Sequence, residues 1–312
     1  MQFRALHRIA NKFLFINKSA TALHTRSMAC SRYEYVKSYE QDDKILPNVW
    51  IVIRIDGKKF HKFANAHKFE KPNDENALNV MNAAGIAVME EFRDIVLGYG
   101  QSDEYSFVFR KDTSAFKRRA AKLLSYVTSM FTSSYVLSWS QWMQQPLNYA
   151  PCFDGRVVLY PSDENLRDYL SWRQADVHVN NLYNTAFWKL VLESGLTNQQ
   201  AEERLRGTFS ADKNELLFQE FGINYNTLPA MYRKGTILLR KRVVLPTQDE
   251  QDKGRQAIVP IHEDLIGNEF WKQHTEILGK YVPGKHVLNS LNGQLEKQLA
   301  KQLEKQATIA GI

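Results

Sequence analysis

The stretch Val49-Trp50-Ile51-Val52-Ile53-Arg54-Ile55-Asp56-Gly57 limits the fold more than any other, because it is almost wholly apolar and rich in β-branched residues. A strand with one wet face alternates polar and apolar residues. A strand of this make-up is covered on both faces and belongs in the middle of a sheet, with a layer on either side. It ends on Asp56, followed at once by Gly57 and a loop rich in Lys, His and Phe. Two further apolar runs, 95–99 and 105–109, flank Gln101-Ser102-Asp103-Glu104. They read as a hairpin with two acids at its tip, to which Gly98 and Gly100 lend turn freedom.

Between these strands, Lys71-Pro72-Asn73-Asp74 gives a break and a cap, and Ala77, Leu78, Met81, Ala84, Val88, Met89 and Phe92 recur at helical spacing. A second helix is expected over 114–139, with a basic patch on its first turns and Leu123, Leu124, Val127, Met130, Phe131 and Tyr135 inside. Residues 154–161 then form a short strand. The order strand, helix, strand, strand, helix, strand predicts an α+β fold with a ferredoxin-like βαββαβ domain. The expectation is that the first strand lies beside the first hairpin strand, joined by a right-handed crossover. Asp56 then meets Asp103, with Glu104 alongside, in an all-oxygen set suited to Mg²⁺. Palm domains of polymerases and nucleotide cyclases place acids this way, and two metal ions there polarise an α-phosphate. On the bare residues the plainer reading stays open, since acids at hairpin tips are commonly solvated. Adjacent strand residues also point to opposite faces, so Asp103 ranks before Glu104 as a ligand.

The chain has 312 residues and a net charge of +7. Five of those positive charges sit in residues 1–27, on Arg4, Arg8, Lys12, Lys18 and Arg26, with no acid among them. With Phe3, Leu6, Ile9, Phe13 and Ile16 at three-to-four spacing, this leader reads as a mitochondrial transit segment. Met28 offers a second start, so the expected location is cytoplasmic, mitochondrial or both. The concentrated patch of the body is 110–122, a candidate phosphate-binding surface. Two cysteines, Cys30 and Cys152, indicate neither a disulfide framework nor a cysteine zinc site. No apolar run approaches the roughly 20 residues of a membrane span.

After residue 161 a mostly helical extension is expected. A helix over 165–172 leads into His178-Val179-Asn180-Asn181-Leu182-Tyr183-Asn184, and an apolar helix follows over 186–192. The amides suit contacts to bases and phosphates and equally suit helix caps. Thr197 with Gln200 makes a capping box, and Ser210 caps a further helix that Phe221-Gly222 stops. The run 231–242 reads as a strand with basic residues exposed, an edge that is either RNA-facing or simply solvated. Residues 247–255 are polar. Leu291, Leu295, Leu299 and Leu303 predict a short coiled-coil or a frayed helix. The organisation is thus a leader at 1–27, a catalytic palm at 28–161, a second region at 162–280 packed on it, and a tail at 281–312.

Taken together, Arg54-Ile55-Asp56-Gly57-Lys58-Lys59-Phe60-His61, Lys71-Pro72-Asn73-Asp74, Tyr99-Gly100-Gln101-Ser102-Asp103-Glu104-Tyr105-Ser106-Phe107, Phe116-Lys117-Arg118-Arg119, Phe153-Asp154-Gly155-Arg156 and the motif beginning at His178 closely resemble the tRNA-histidine guanylyltransferases, over about 28–278. The resemblance implies a nucleotidyltransferase that works in the direction opposite to ordinary polymerisation. ATP activates the tRNA 5′-phosphate, the GTP 3′-hydroxyl attacks it, and pyrophosphate is removed, leaving one guanosine at position −1 of tRNA-histidine.

The same resemblance implies two Mg²⁺ ions held by Asp56 and Asp103, with Glu104 a supporting ligand and the Gly57 backbone near an ion. It implies a nucleotide-binding set of Asp56, Gly57, Lys58, Lys59, Phe60, His61, Lys71, Asn73, Asp74, Ser102, Asp103, Arg119 and Lys122. His178, Asn181 and Lys213 match tRNA-handling positions, and a homo-oligomer, commonly a tetramer, is implied. The cationic helix start at Arg119 and Lys122 conflicts with the positive end of a helix dipole, a conflict that an incoming phosphate would resolve. Rival readings are a templated 5′-end tRNA repair polymerase, a nucleotide cyclase, and a non-catalytic tRNA-binding protein. Against the last, carboxylates beside bound RNA are unfavourable unless metal neutralises them.

Overall fold

The computed structural model describes residues 31–244, 255–279 and 284–287; the leader, the stretch 245–254 and the leucine-spaced tail lie outside the described residues. Residues up to Asp42 belong to a unit of their own, in which the 3-10 turn Glu34–Tyr39 is described. The unit from Asp43 onward carries everything below.

The doubly covered strand is there. Strand β1 (Trp50–Gly57) pairs on one side with β4 (Phe153–Tyr160) and on the other with β3 (Glu104–Phe109), both antiparallel. Ile51, Ile53 and Ile55 enter a core with helices α2 (Glu75–Glu91) and α3 (Ala120–Trp142), while Trp50 and Val52 enter a second core on the opposite face. A short helix, α1 (Phe60–Ala66), follows β1. The sheet order is β4-β1-β3-β2-β5-β6, with β2 at Ile95–Gln101, β5 at Thr236–Val244 and β6 at Arg255–Ile261. The expected neighbour relation is therefore corrected: β3, not β2, lies against β1. A strand reached through helices runs parallel to its predecessor and leaves a gap, and the returning arm of the hairpin fills it antiparallel to both. The correction changes how the acids meet. Asp56 stands directly opposite Glu104 in the register, and the Gly57 N–H donates to the Asp103 carbonyl across 3.0 Å.

Helix α4 (Asp163–Leu192) replaces the two helices and amide loop expected over 165–192. Ser162 caps it, its hydroxyl accepting from Asn165 N–H at 3.0 Å, and Asp163 and Glu164 occupy the first turn. No Gly or Pro interrupts the 30 residues. The polar motif is simply part of the helix. Its inner half covers Trp50 and Val52 through Leu166, Tyr169 and Leu170. The outer half packs with α5 (Asn198–Leu205) and α6 (Ser210–Phe221) around Leu182, Ala186, Leu190, Ala201, Leu205, Leu217 and Tyr225. The Thr197–Gln200 capping box is present. Ser210 is not the cap of α6; Phe209 holds that place, and Asp212 Oδ2 accepts its N–H at 2.7 Å.

After α7 (Ala230–Lys234), the chain returns to the sheet as β5 (Thr236–Val244) and β6 (Arg255–Ile261), followed by α8 (Asn268–Gln273) and β7 (Gly284–Val287). The region expected as a mostly helical extension thus adds three strands to the sheet. Strand β5 is no edge, because β2 flanks it on one side and β6 and β7 also pair with it. Its Lys241 is buried and bonded to His274 Nδ1 at 2.7 Å and Glu276 Oε1 at 3.2 Å.

The basic patch also differs from expectation. Phe116, Lys117 and Arg118 adopt positive φ values of 48°, 56° and 60°, so a left-handed 3-10 turn (Ala115–Arg118) precedes α3. Such a conformation costs roughly 1–2 kcal/mol per residue. Arg118 holds it: its buried guanidinium donates to the carbonyls of Lys111, Thr113, Ile45, Leu46 and Val49 at 2.7–3.3 Å. Arg118→Ala would leave five carbonyls without this donor beside a strained turn. It is expected to destabilise the fold by about 3 kcal/mol or more, read as a lower denaturation midpoint in urea; a change within about 0.5 kcal/mol would refute this account.

Candidate active site

The end of β1 and the turn between β2 and β3 come together because Gly57 has no side chain. A Cβ there would lie 2.4 Å from Phe60 Cδ2 and 3.0 Å from Asp103 Cβ. Gly100 acts in the same way rather than as a turn residue: it lies within β2, and a Cβ on it would stand 2.2 Å from the Tyr105 ring. The turn itself falls on Ser102, whose φ is 48°.

The carboxyl of Asp103 is pushed up to about 6, first by burial, then by the neighbouring Asp56 charge, with Glu104 adding to it. Among the described residues neither Asp56 nor Asp103 has a Lys or Arg ion-pair partner. Glu104 does. Its Oε2 lies 3.1 Å from Arg173 Nη1 and 3.9 Å from Arg54 Nε, and its Oε1 accepts from Gln101 Nε2 at 3.1 Å. Of the three expected carboxylates, the third is thus the one paired with arginines. Among the described residues, no group of three or more His, Cys, Asp or Glu side chains is arranged to hold a metal ion. What remains is a pair of hard oxygen donors, one of them binding protons too tightly for an ordinary carboxylate. That deficit of positive charge is what a divalent cation such as Mg²⁺ satisfies, so the residues fit the group.

A cleft of about 760 Å³ opens beside this pair. It gathers Asp56, Gly57, Lys59, Phe60, His61, Lys71, Asn73, Asp74, Ser102, Asp103, Glu104 and Asn181 from the expected set. Several have structural duties as well. Phe60 is buried and stacks on Phe63 with ring centres 4.7 Å apart. Asp74 caps α2, its Oδ1 accepting from Ala77 N–H and its Oδ2 from Glu70 N–H, both at 3.0 Å. The Lys71 ammonium lies 5.4 Å from the centre of the Trp188 ring, and burial lowers its pKa against the pull of Asp74. Asn73 Nδ2 donates to Asn181 Oδ1 at 2.9 Å.

Five expected residues do not line this cleft. Lys58 lines a separate 290 Å³ pocket with Lys62, Tyr149 and Cys152. Arg119 pairs with Asp43, and Asp43 Oδ2 accepts the Ala121 N–H at 2.6 Å. That bond lowers the Asp43 pKa and places a carboxylate at the start of α3. The electrostatic conflict expected there is thus met within the chain, with Lys122 left exposed on the same turn. His178 sits edge-on to Tyr225 with ring centres 5.3 Å apart, and burial lowers its pKa, with Arg233 adding to it. Lys213 Nζ donates to the Thr208 carbonyl at 2.8 Å.

Sequence reasoning missed Arg173, Trp188, Asn82 and Tyr225. Arg173 is buried and bonded to a residue 69 positions earlier, a pairing that no local pattern announces. Trp188 lies two turns beyond Asn181 on α4, and a 3.6-residue reading carried through the amides would have put both on one face.

Residues 33–161 match the family model described as tRNAHis guanylyltransferase, and 164–279 match that of the Thg1 C terminal domain. A Drosophila melanogaster protein named "Probable tRNA(His) guanylyltransferase" is 82% identical over 257 residues, spanning 82% of this chain and 88% of its own. The Schizosaccharomyces pombe tRNA(His) guanylyltransferase is 54% identical over 250 residues, 78% of this chain and 96% of its own. The crystal structure of the Saccharomyces cerevisiae enzyme, 48% identical, superposes with a TM-score of 0.64 over 67% of this chain and 93% of that one. A bacterial Thg1-like protein in complex with ATP shares the fold at 22% identity, with a TM-score of 0.61 over 79% of this chain and 96% of its own.

The Asp103 carboxyl titrates near 6 in the folded chain against an ordinary 3.8. Folded molecules therefore hold the extra proton between those values, and the cost of ionising Asp103 is absent below about pH 4 and complete above about pH 6. Without divalent cations, Asp103→Asn is expected to raise stability by about 2–3 kcal/mol at pH 8 and to change it little at pH 4. Urea melts at the two pH values check this, and equal effects at both would refute it.

Proposed function

This chain belongs to the tRNAHis guanylyltransferase family and is a nucleotidyltransferase, and we propose that it adds one guanosine to the 5′ end of tRNA-histidine, at position −1, by 3′-to-5′ transfer from GTP after activation of the 5′-phosphate by ATP. The observation that carries this reading is the pairing of Asp56 with a proton-hungry Asp103 at the mouth of a 760 Å³ cleft. We read β4-β1-β3-β2 with α2 and α3 as a ferredoxin-like palm, residues 28–161 as the catalytic domain, and 162–280 as the tRNA-handling region packed on it. Support comes from the antiparallel strand order and from Ser106 on β3, whose hydroxyl bonds to that of Tyr169 on α4 at 2.6 Å.

Asp56 and Asp103 would hold Mg²⁺, with the Gly57 backbone beside them. Bound there, the ions would supply charge neutralisation at the phosphate and lower the pKa of the attacking hydroxyl. The chain's own residues supply the rest. Arg173 and Arg54 pair with Glu104 and so tie down the tip on which Asp103 is displayed. Lys59, His61 and Lys71 line the cleft with donors for phosphate oxygens. Asn73 and Ser102 offer neutral polar groups beside them. His178 and Lys213 form the RNA-handling side, and Lys122 on the exposed first turn of α3 gives a further phosphate contact.

Asp103→Ala is expected to leave the fold intact and to abolish guanosine addition. The assay is 5′-monophosphorylated tRNA-histidine incubated with ATP, GTP and Mg²⁺, followed by sequencing of the product's 5′ end. Full activity in the variant would sink the carboxylate assignment. Addition of any template-paired nucleotide to 5′-truncated tRNAs, each NTP being supplied separately, would shift the reading to a repair polymerase. The basic leader is read as a mitochondrial transit segment. A fluorescent fusion of the whole chain is expected in mitochondria and one starting at Met28 in the cytoplasm; the same distribution for both would refute the leader's role.

A further inference from the structure

Family resemblance groups Asn181 with the RNA contacts. We propose instead that Asn181 is a positioning residue: through hydrogen bonds to Asn73 and Tyr225 it fixes Asn73 in the nucleotide cleft and ties the cleft to the outer half of α4. This inference rests on the reading of the cleft as a nucleotide site.

Asn181 is buried, at 6% exposure. Its Oδ1 accepts from Asn73 Nδ2 at 2.9 Å, its Nδ2 donates to the Tyr225 hydroxyl at 3.0 Å, and that hydroxyl donates to the His178 carbonyl at 3.3 Å. The chain runs in one direction, from Asn73 to the His178 carbonyl. Turning the Asn181 amide over would set its NH₂ against the NH₂ of Asn73, two groups that only donate. The Asn181 main chain is anchored too, its carbonyl accepting from Thr185 Oγ1 at 2.7 Å. An amide with both ends committed inside the protein has little left for RNA. It has much to give Asn73, which lines the cleft and has its head group set by this bond.

Tyr225 explains why the far end is firm. It is 3% exposed in the small core of α4, α5 and α6, and its ring meets that of His178 edge-on. The same hydroxyl and ring that orient Asn181 therefore also bear on His178. Asn73 from the loop before α2 and His178 on α4 are thus joined through two intermediate side chains, Asn181 in the cleft lining and Tyr225 in a separate core.

The test measures GTP affinity of the full chain in the absence of RNA, and affinity for 5′-monophosphorylated tRNA-histidine separately. Asn73→Ala and Asn181→Ala are each expected to weaken GTP binding about five- to thirtyfold, the loss of one buried hydrogen bond. The double variant is expected to be no weaker than the weaker single one, because both remove one interaction. RNA affinity of Asn181→Ala is expected to stay within about twofold. Tyr225→Phe, which removes one oxygen and keeps the ring, is expected to weaken GTP binding in the same direction, and it decides the matter if Asn181→Ala does not fold. Weakened RNA binding with unchanged GTP affinity in Asn181→Ala, or additive losses in the double variant, would overturn the inference. Absence of GTP binding by the unaltered chain would overturn the nucleotide reading of the cleft itself.

Discussion

The buried ion pair between Arg173 and Glu104 governs what the rest of the site can do. Three carboxylates, on Asp56, Asp103 and Glu104, arrive within one strand pairing and one turn. Left alone they would repel one another in a partly desolvated place. Arg173, itself 7% exposed, takes up Glu104 from one side and Arg54 from the other. Without Arg173, Glu104 would keep only Arg54, at 3.9 Å, and Gln101 as partners among the described residues. The pair also joins α4 to the hairpin tip. Among the described residues two acids then remain without a Lys or Arg ion-pair partner, and burial first, then the Asp56 charge, raises the proton affinity of Asp103. Neutralising one acid in three leaves the pair of carboxylates that the proposed divalent cation would need.

The same accounting applies to the positive charges. The stretch 110–122 is the densest basic run of the body, yet much of its charge is used internally. Arg118 is turned inward onto backbone carbonyls, Lys111 pairs with Asp163 at 2.5 Å, and Arg110 pairs with Asp94 and Asp112. Arg119 has Asp43. A run of six cations in sequence thus leaves Lys117 and Lys122 as its exposed charges without ion-pair partners among the described residues. Phosphate attraction toward this face comes from few charges, and a count along the sequence overstates it.

Much of the fold was legible because it follows from local rules. The apolar run 49–57 demanded cover on both faces, and the cores built on Ile53 and Val52 supply it. Asp74 and Thr197 announced their helices through hydrogen-bond chemistry that acts within four residues. Strand adjacency was not legible, since a βαβ crossover fixes direction but not which strand fills the gap. The proximity of Asp56 to the hairpin tip survived that error because β3 carries the tip to β1 just as surely. The left-handed turn at Phe116 was hidden, having no glycine to mark it; its cause is Arg118 and carbonyls some seventy residues earlier. Burial of Lys241 within β5 was equally invisible, because the partners that permit it, His274 and Glu276, come thirty residues later.

Helix α4 is where local and distant requirements meet. Read piecewise, its amides looked like a break between two helices. As one helix of 30 residues it spans about 45 Å. It begins on the sheet with Leu166 and Tyr169, passes the cleft with Arg173 and Asn181, and ends in a separate core with Ala186 and Leu190. An unbroken helix resists bending, so the spacing between Arg173 and Asn181 is fixed at two turns. The hairpin tip bonds to the first residue and the Asn73 loop to the second. The two sides of the cleft are therefore registered on a common straight edge. Apolar residues at these two positions would remove the Arg173 bond to Glu104 and the Asn181 bond to Asn73.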